Sequence, residues 1–596
     1  MKSKMKILMV YPEIPATYWS LKYALPFAGY KTLMPPLGLI TVAAMLPENY
    51  DIRLIDMNYQ EFTAKDITAS DMVFVSAMIV QKDSFQNVVR MCNECGIPVA
   101  AGGPYPTNSY RSIRGVDHFV LNEGEITLPR FIEDLENGRP QKMYRDEAKP
   151  DITKTPVPRF DLLDLNAYAS MAVQSSRGCP FNCEFCDIIE MFGRVPRYKL
   201  PEQFTHELDR LYDTGYRGPL FFVDDNFIGN KKKARELLDH VIRWQKNKNY
   251  PFTLFTEASV NLAQDEPLLD RMVEAGIDMV FLGIETPVQA TLELTQKQQN
   301  TKADILESIK KIQSKGIEVM GGFIVGFDSD PENIFDLQID FIQKAGIPLA
   351  MIGTLIPLPN TQLYRRLEQE GRIIGETGGN NTHSMELNFI PKMPLKTLME
   401  GYQRVIAAIY EPRRYFDRCI TLMKRMPRNR RYGRSLNASD LRAFLKSLVK
   451  QTFSRYGLYY LKLLALTLVY NRRKFPMIVN LAVKGYHFFK MTDDILRAEM
   501  VSAYMNSSLE RLEKKYETQF RKARSVHPMA VERLAKQAMD NVSRLYRKLN
   551  PELKEHLKDT YYEYKLKCET TAYLWSEKSG AEDEPYMNES SYASGM

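Results

Sequence analysis

The stretch Ala172–Ile188, AVQSSRGCPFNCEFCDI, reads as an apolar strand running into a tight loop that carries Cys179, Cys183 and Cys186 at C-x3-C-x2-C spacing. Thiolates are soft ligands suited to iron, and three of them on one short loop can converge on three irons of a cubane cluster. The fourth iron is then left without a protein ligand. A structural zinc site is the alternative, but such sites normally close four ligands, and a fourth would have to come from Cys92, Cys95 or a distant histidine. Pro180 and Phe181 are expected to shape the loop and shield it from water. Seven cysteines in 596 residues are few and odd in number, which favours a ligand set over a disulfide framework and a reducing compartment over an oxidising one.

Downstream, short apolar strands recur and end on polar residues. LFFVDDNF (220–227) closes on Asp224, Asp225 and Asn226; LFTEASV (254–260) carries Glu257 and Ser259; VFLGIET (280–286) carries Glu285; VMGGFIVGFDSD (319–330) holds Ile324 and Gly326; LIPLPNTQLY (355–364) reads as the sixth strand and its loop. Helical patterns such as KADILESIKKIQSKG (302–316) lie between them. Strands alternating with helices imply a partial, TIM-like (β/α)6 barrel over 169–395 whose site lies at the C-terminal mouth. A single acid at a strand end is more often solvated or salt-bridged than a ligand contact; a succession of five such ends points to a site.

Upstream, KILMVYP (6–12), IRLIDMN (52–58), MVFVSAM (72–78), IPVAAGGP (97–104) and DHFVLNEGE (117–125) are apolar runs separated by polar or amphipathic segments. Runs of this length suit strands buried on both faces, so residues 1–145 are expected to form a Rossmann-like, doubly wound parallel sheet with ligands at the strand C-terminal ends. Ser76, Gly102-Gly103-Pro104 and Glu123-Gly124 stand at those ends, where glycine lets backbone approach a bulky ligand. Cys92 and Cys95 read as partly buried helix cysteines and His118 as structural. Residues 146–168, with KPDITKTPVPRF (149–160), read as an exposed linker.

Beyond 395 the rhythm changes to helical patterns, LKTLMEGYQRVIAAIYEPRRYFDRC (395–419) and DLRAFLKSLVKQTFSRYGLYYLKLLALTLVY (440–470), so 396–575 is expected to be helical and 576–596 a disordered tail. The net charge of +7 is modest, but between 421 and 480 Lys424, Arg425, Arg428, Arg430, Arg431, Arg434, Arg442, Lys446, Lys450, Arg455, Lys462, Arg472, Arg473 and Lys474 face one acid, Asp440. These helices are too interrupted by charge to span a bilayer. Either a helical cap on the barrel or an amphipathic, peripheral membrane surface fits them. Hydrophobic residues at 44% and charged residues at 26% exclude collagenous, disordered and integral-membrane classes. MKSKMKILMVYP has no cleavage site after its short apolar stretch, so a cytoplasmic protein, in part membrane-associated, is expected.

MPPLGL (34–39), SAM (76–78), GGPYPT (102–107) and NEGE (122–125), taken in order, resemble the cobalamin-binding domain found ahead of radical S-adenosylmethionine (SAM) domains, and the cysteine loop with its strand ends resembles the radical SAM superfamily. TYWSLKYAL (17–25), GCPFNCEFCDIIEMFGRVPRYK (178–199) and EPRRYF (411–416) are similar to the class B branch that includes the hopanoid C-2 methylase.

The resemblance implies a 4Fe–4S cluster on Cys179, Cys183 and Cys186 with SAM chelating the open iron. It implies SAM contacts at Asp225, Asn226, Glu257, Ser259, Glu285, Ile324 and Gly326, and cobalamin contacts at Ser76, Gly102, Gly103, Pro104, Glu123 and Gly124. Tyr105 and Pro106 depart from the usual loop, and no Asp-x-His-x-x-Gly follows the first strand, so no histidine is expected below cobalt. The implied activity is a two-stage methyl transfer: one SAM methylates cobalamin, and a second yields a 5′-deoxyadenosyl radical that activates a carbon of a lipophilic, hopanoid or isoprenoid-like substrate. A reductant such as flavodoxin or ferredoxin is implied, and no nucleic acid. A ring-forming or rearranging enzyme, or an iron–sulfur sensor at a membrane, are the alternatives. Arg194, Arg197 and Lys199 read as a solvated basic turn in preference to a site for an anion.

Overall fold

The apolar runs of the N-terminal region form a six-stranded, all-parallel sheet in a computed structural model that describes residues 4–380, 387–428, 438–523, 528–549, 553–554 and 557–578. Its strands are β1 (Lys6–Tyr11), β2 (Asp51–Asp56), β3 (Met72–Ser76), β4 (Val99–Gly102), β5 (His118–Val120) and β6 (Met143–Tyr144), in the order β2-β1-β3-β4-β5-β6. The order reverses direction at β1 and β3, and a doubly wound sheet opens its ligand crevice at that point, outside the strand C-terminal ends. Central strands are apolar on both faces because helices cover both; in β1, Ile7, Leu8, Met9 and Val10 are all buried. The sixth strand has no apolar run to announce it, being a two-residue edge.

The second sheet is also parallel: β7 (Met171–Val173), β10 (Pro219–Phe222), β11 (Thr253–Ala258), β12 (Ile277–Glu285), β13 (Glu318–Val325) and β14 (Ala350–Thr354) pair strictly in chain order. This is the expected partial (β/α)6 barrel, with one adjustment: its last strand precedes LIPLPNTQLY, which supplies the loop alone. A small antiparallel pair, β8 (Ser176–Arg177) with β9 (Arg197–Tyr198), clamps the base of the cysteine loop.

The stretch 146–168 is not the exposed linker its composition suggested. Ile152, Phe160, Ala167 and Tyr168 are buried, and the Tyr168 hydroxyl donates to the buried Asp56 carboxylate at 2.9 Å. The proline-rich chain is thereby strapped to the first sheet.

Past the barrel, helices take over. In EPRRYF the Glu411 side chain accepts from the Arg414 N–H at 2.9 Å and Pro412 occupies the first turn, a well-formed N-terminus for the helix Pro412–Arg425. Arg418 on that helix is fully buried and donates to the carbonyls of Ile347 and Ile409. These helices belong to the unit Met1–Phe489; a second unit, Lys490–Met596, follows. Its described part is a helical bundle closed around Tyr516, Val531, Val542, Tyr564 and Cys568. Residues 579–596 of the expected tail, and Arg430, Arg431 and Arg434 of the basic stretch, lie outside the described residues.

Candidate functional site

Gly178 turns the chain from β8 into the cysteine loop at φ +96°, and a Cβ there would meet the Gly193 carbonyl at 2.9 Å. Only glycine fits both demands. Its N–H donates to Asp225 at 2.7 Å, while the neighbouring Asp224 accepts from the backbone of Ser175 at 2.7 Å and Ser176 at 2.9 Å, and from the Ser175 hydroxyl. The strand end after β10 is thus bolted to the entry of the loop. On its other side the loop is held by residues 295–299: Glu184 N–H donates to the Thr295 carbonyl at 3.1 Å and the Asn182 amide to Gln296 at 2.6 Å. Phe185 packs against Phe327 at 5.8 Å.

The three thiols are free of disulfides. Two amides point at them: Asn226 Nδ2 lies 3.9 Å from Cys179 Sγ and Gln299 Nε2 lies 3.5 Å from Cys183 Sγ. Donors to sulfur stabilise thiolate ligands of iron–sulfur centres and tune their potential. The amide oxygens of Asn226 and Gln299 are buried without a protein partner. Among the described residues no three His, Cys, Asp or Glu side chains close on a single ion, yet the thiols influence one another electrostatically.

Charge around the loop was only partly legible in the sequence. Lys297 was missed; its Nζ lies 2.6 Å from Glu285 Oε1. Burial opposes its charge, but Glu285 and the thiols of Cys183 and Cys186 outweigh that and hold it protonated. Glu285 itself sits at φ +64°, an uncommon conformation for a non-glycine residue that here ends β12 and turns the carboxylate back to the lysine. Glu257 is pushed up to about 8 by burial and by Asp225 and Asp224, with Lys297 opposing. Asp225 is raised to about 7, burial again leading. A pocket of crowded carboxyls beside the cluster loop favours a cationic group such as an amine. Ser259 receives an Asn226 Nδ2 donor at 3.2 Å and donates to Asn261 at 2.8 Å. Beyond β13, Gly326 stands at φ +102°, its N–H given to Asp330 at 2.8 Å, and Ile324 packs in the small core formed by Phe327, Leu355 and Leu363.

At the mouth of the first sheet lies a cleft of about 390 Å³. Ser76, Gly102, Gly103, Pro104, Glu123 and Gly124 all line it. Gly103 adopts φ +88° and a Cβ there would strike the Ser76 hydroxyl. Tyr105, which departs from the usual motif, turns away from the cleft into the core against Phe85. Cys92 is buried in the same core, and His118 bonds the Gln141 carbonyl at 2.6 Å, so neither faces the cleft. Arg177, Met191 and Phe192 of the cysteine-loop region line the same cleft from the barrel side.

Arg177 and Arg197 join the two mouths. Arg177 meets Glu123 at 2.9 Å and Glu125 at 2.9 Å, and Arg197 meets Glu123 at 2.8 Å. Arg197 and Lys199 therefore do not form the solvated turn their sequence suggested; Lys199 is buried against Glu207 at 2.5 Å. Such basic residues stay inside only because each has an acid to neutralise it.

Three family models match the chain: B12 binding domain over 26–132, Radical SAM superfamily over 173–373, and a domain of unknown function, DUF4070, over 361–500. The hopanoid C-2 methylase of Rhodopseudomonas palustris is 35% identical over 68% of this chain and 77% of its own length. The chain belongs to the cobalamin-binding radical SAM methyltransferases. An uncharacterized methyltransferase of Synechocystis is 45% identical over 70% of this chain and 78% of that protein. In fold, the radical SAM methyltransferase TsrM from Kitasatospora setae, solved with cobalamin and a 4Fe–4S cluster bound, superposes with TM-score 0.54 at 13% identity over 81% of this chain and 99% of that one. The cofactors of this radical SAM methyltransferase are a 4Fe–4S cluster, SAM and cobalamin. The residues on both mouths fit them: unpaired thiols with N–H donors, a carboxyl-rich pocket, and a glycine-floored cleft.

Proposed function

We propose that this enzyme methylates an unactivated carbon of a lipophilic, hopanoid-like or isoprenoid-like substrate, with Cys179, Cys183 and Cys186 holding the cluster. In this reading Asp225, Asn226, Glu257, Ser259, Glu285, Ile324 and Gly326 receive SAM, and Ser76, Gly102, Gly103, Pro104, Glu123 and Gly124 receive cobalamin. The observation that carries it is the shared cleft: Met191 and Phe192, just past the third cysteine, line the same cavity as the glycine floor of the first sheet. A group seated on that floor faces the cluster loop directly, which is the proximity a methyl transfer between two cofactors requires. When bound, a reduced cluster would supply the electron for SAM cleavage, and cobalamin would supply a transferable methyl group.

The chain's own residues do the positioning. Asp225 and Glu257 attract the SAM amino group, and Lys297 neutralises Glu285 beside the loop. The Arg177–Glu123–Arg197 bridge holds the two mouths in register. The lipid character of the substrate is supported by likeness to the hopanoid C-2 methylase; it would bring the enzyme, peripherally, to a membrane through the basic region 421–480. A low-potential reductant such as flavodoxin or ferredoxin would feed the cluster.

The test is anaerobic reconstitution with methyl-labelled SAM, reductant and lipid extracted from cells lacking the gene. Release of 5′-deoxyadenosine with label in a polycyclic or isoprenoid lipid is the expected result. Release of 5′-deoxyadenosine while every lipid stays unlabelled would overturn the methylase reading and leave a ring-forming or rearranging enzyme; an intact cluster with no 5′-deoxyadenosine would leave the sensor.

A further inference from the structure

The helices Ala438–Thr452 and Gly457–Asn471 of the first unit turn several polar side chains inward and a row of large apolar ones outward. Their buried side carries a polar seam beside Leu463 and Leu464: Ser447 shares a hydrogen bond with the Tyr460 hydroxyl at 3.0 Å and accepts from Gln451 at 2.8 Å, and Thr467 and Asn471 are buried as well. Their outer side is apolar. Leu441, Leu445 and Val449 recur at four-residue spacing along one helix, and Leu458, Leu461 and Leu468 at helical spacings of three and seven along the other, all exposed. Phe453 in the turn between them is 87% exposed, Leu458 85% and Val469 80%. Single exposed leucines need no account, but two ordered apolar stripes joined by a phenylalanine mark a surface that meets something other than water.

The charges beside these stripes say what. No Asp or Glu stands between Asp440 and Asp493, whereas Arg442, Lys446, Lys450, Lys462 and Arg472 are all exposed. Lys446 donates to the Pro26 carbonyl at 2.8 Å and Lys450 sits over the Phe27 ring at 5.2 Å, so the pair is held to the rest of the unit by its basic flank and keeps its apolar side outward. Among the described residues no helix is long and apolar enough to cross a membrane. An apolar crest with a purely basic border, unable to span, is the pattern of a helix pair that lies in an anionic bilayer interface.

We infer that Phe453 and the flanking leucine stripes insert into the surface of an anionic lipid bilayer, with Lys462 and Arg472 on its headgroups. The inference rests on the proposed lipid substrate only in supplying the route by which such a substrate reaches the enzyme. It makes the surface, and not the barrel mouth, the place where lipid is first met.

Flotation of the full-length, cofactor-loaded protein with phosphatidylcholine vesicles, with and without phosphatidylglycerol, tests it. The protein should float with the anionic vesicles. Phe453→Ser with Leu458→Ser should weaken binding by about tenfold or more, and Lys462→Gln with Arg472→Gln by about fivefold per charge at low salt, with the difference vanishing at high salt. These positions are exposed, so both variants should keep the wild-type melting curve, cofactor absorbance and 5′-deoxyadenosine release.

Absence of flotation in the wild type, or flotation indifferent to the Phe453/Leu458 pair, overturns the inference. So does a wild-type dimer that the serine variant dissociates while neither form floats, which would make this face a contact between two copies. Vesicle binding that obeys these rules while no lipid takes up label would sink the substrate reading and leave the surface standing; labelling of detergent-dispersed lipid by a protein that never floats would do the reverse.

Discussion

The two parallel sheets of this enzyme end in unlike mouths. The first offers small residues and backbone, Gly102, Gly103 and Gly124 with Pro104 and Ser76, and the charged side chains on its wall, Glu123, Glu125, Arg177 and Lys199, are already held in ion pairs. The second offers buried ionisable groups: Asp224, Asp225, Glu257 and the Lys297–Glu285 pair around the cysteine loop. A bulky ligand is admitted by removing side chains, a small charged one by supplying them. In the proposed reading, one architecture serves two kinds of cofactor through what stands at its strand ends.

The sharpest way to break this division is at the sulfurs. Replacing Cys183 by Ala should remove the cluster's visible absorbance and bring 5′-deoxyadenosine release to background, with cobalamin still bound after reconstitution. If cobalamin is lost as well, the mouths are one site and the comparison fails. The converse is Gly103→Val. A β-branched residue at φ +88° is strained by about 1–2 kcal/mol before its clash with Ser76 is counted. Bound cobalamin, measured by absorbance after desalting, should drop about tenfold or more, while the cluster stays and SAM cleavage continues without methyl transfer.

Lys297 sharpens the comparison from within the charged mouth. Lys297→Met strands the Glu285 carboxylate in a buried site, where breaking a pair costs about 3–5 kcal/mol. It also removes a positive charge beside Cys183 and Cys186. The midpoint potential of the cluster, followed by redox titration with EPR detection, should move down, and SAM cleavage should slow by about tenfold or more. Lys297→Arg should restore the potential. A potential unmoved in the methionine variant would reduce Lys297 to a structural partner of Glu285.

The parallel sheets were legible because strands buried on both faces must be apolar without interruption, as KILMVYP and MVFVSAM are. Strand ends carrying Ser76, Gly103 and Glu257 followed from that register. What could not be read was whatever depends on distant segments meeting. β6 is an edge strand of two residues, and Tyr105 gives no sign of which way it turns. Lys297 finds Glu285 twelve residues back, and Arg177 finds Glu123 across the boundary of two sheets. In 438–471 both sides of each helix carry apolar residues, so periodicity alone could not tell that hydrogen bonds among Ser447, Gln451 and Tyr460 would claim the inside. For Lys297, Arg177 and the helix pair the deciding term was a buried polar group that needed its partner.

A last and smaller effect should leave both mouths untouched. His487 is fully buried, accepting the Tyr23 N–H on Nδ1 at 3.3 Å and bonding the Tyr18 carbonyl through Nε2 at 3.2 Å. Burial lowers its pKa to about 4, with the carbonyls of Tyr18 and Thr17 opposing. The unfolded chain, with histidine near 6.5, therefore binds more protons than the folded one between pH 6.5 and 4. The neutral histidine costs nothing above pH 6.5, and stability should fall as pH drops from there toward 4, by up to about 3 kcal/mol. His487→Gln keeps an acceptor and a donor but cannot take up the proton, so urea melts of this variant should show a shallower acid limb across that window. Cluster and cobalamin absorbance at neutral pH should match the wild type. An acid limb as steep as before would mean that other groups set it, and altered cofactor absorbance would mean that the junction of Tyr18, Tyr23 and His487 feeds into the sites after all.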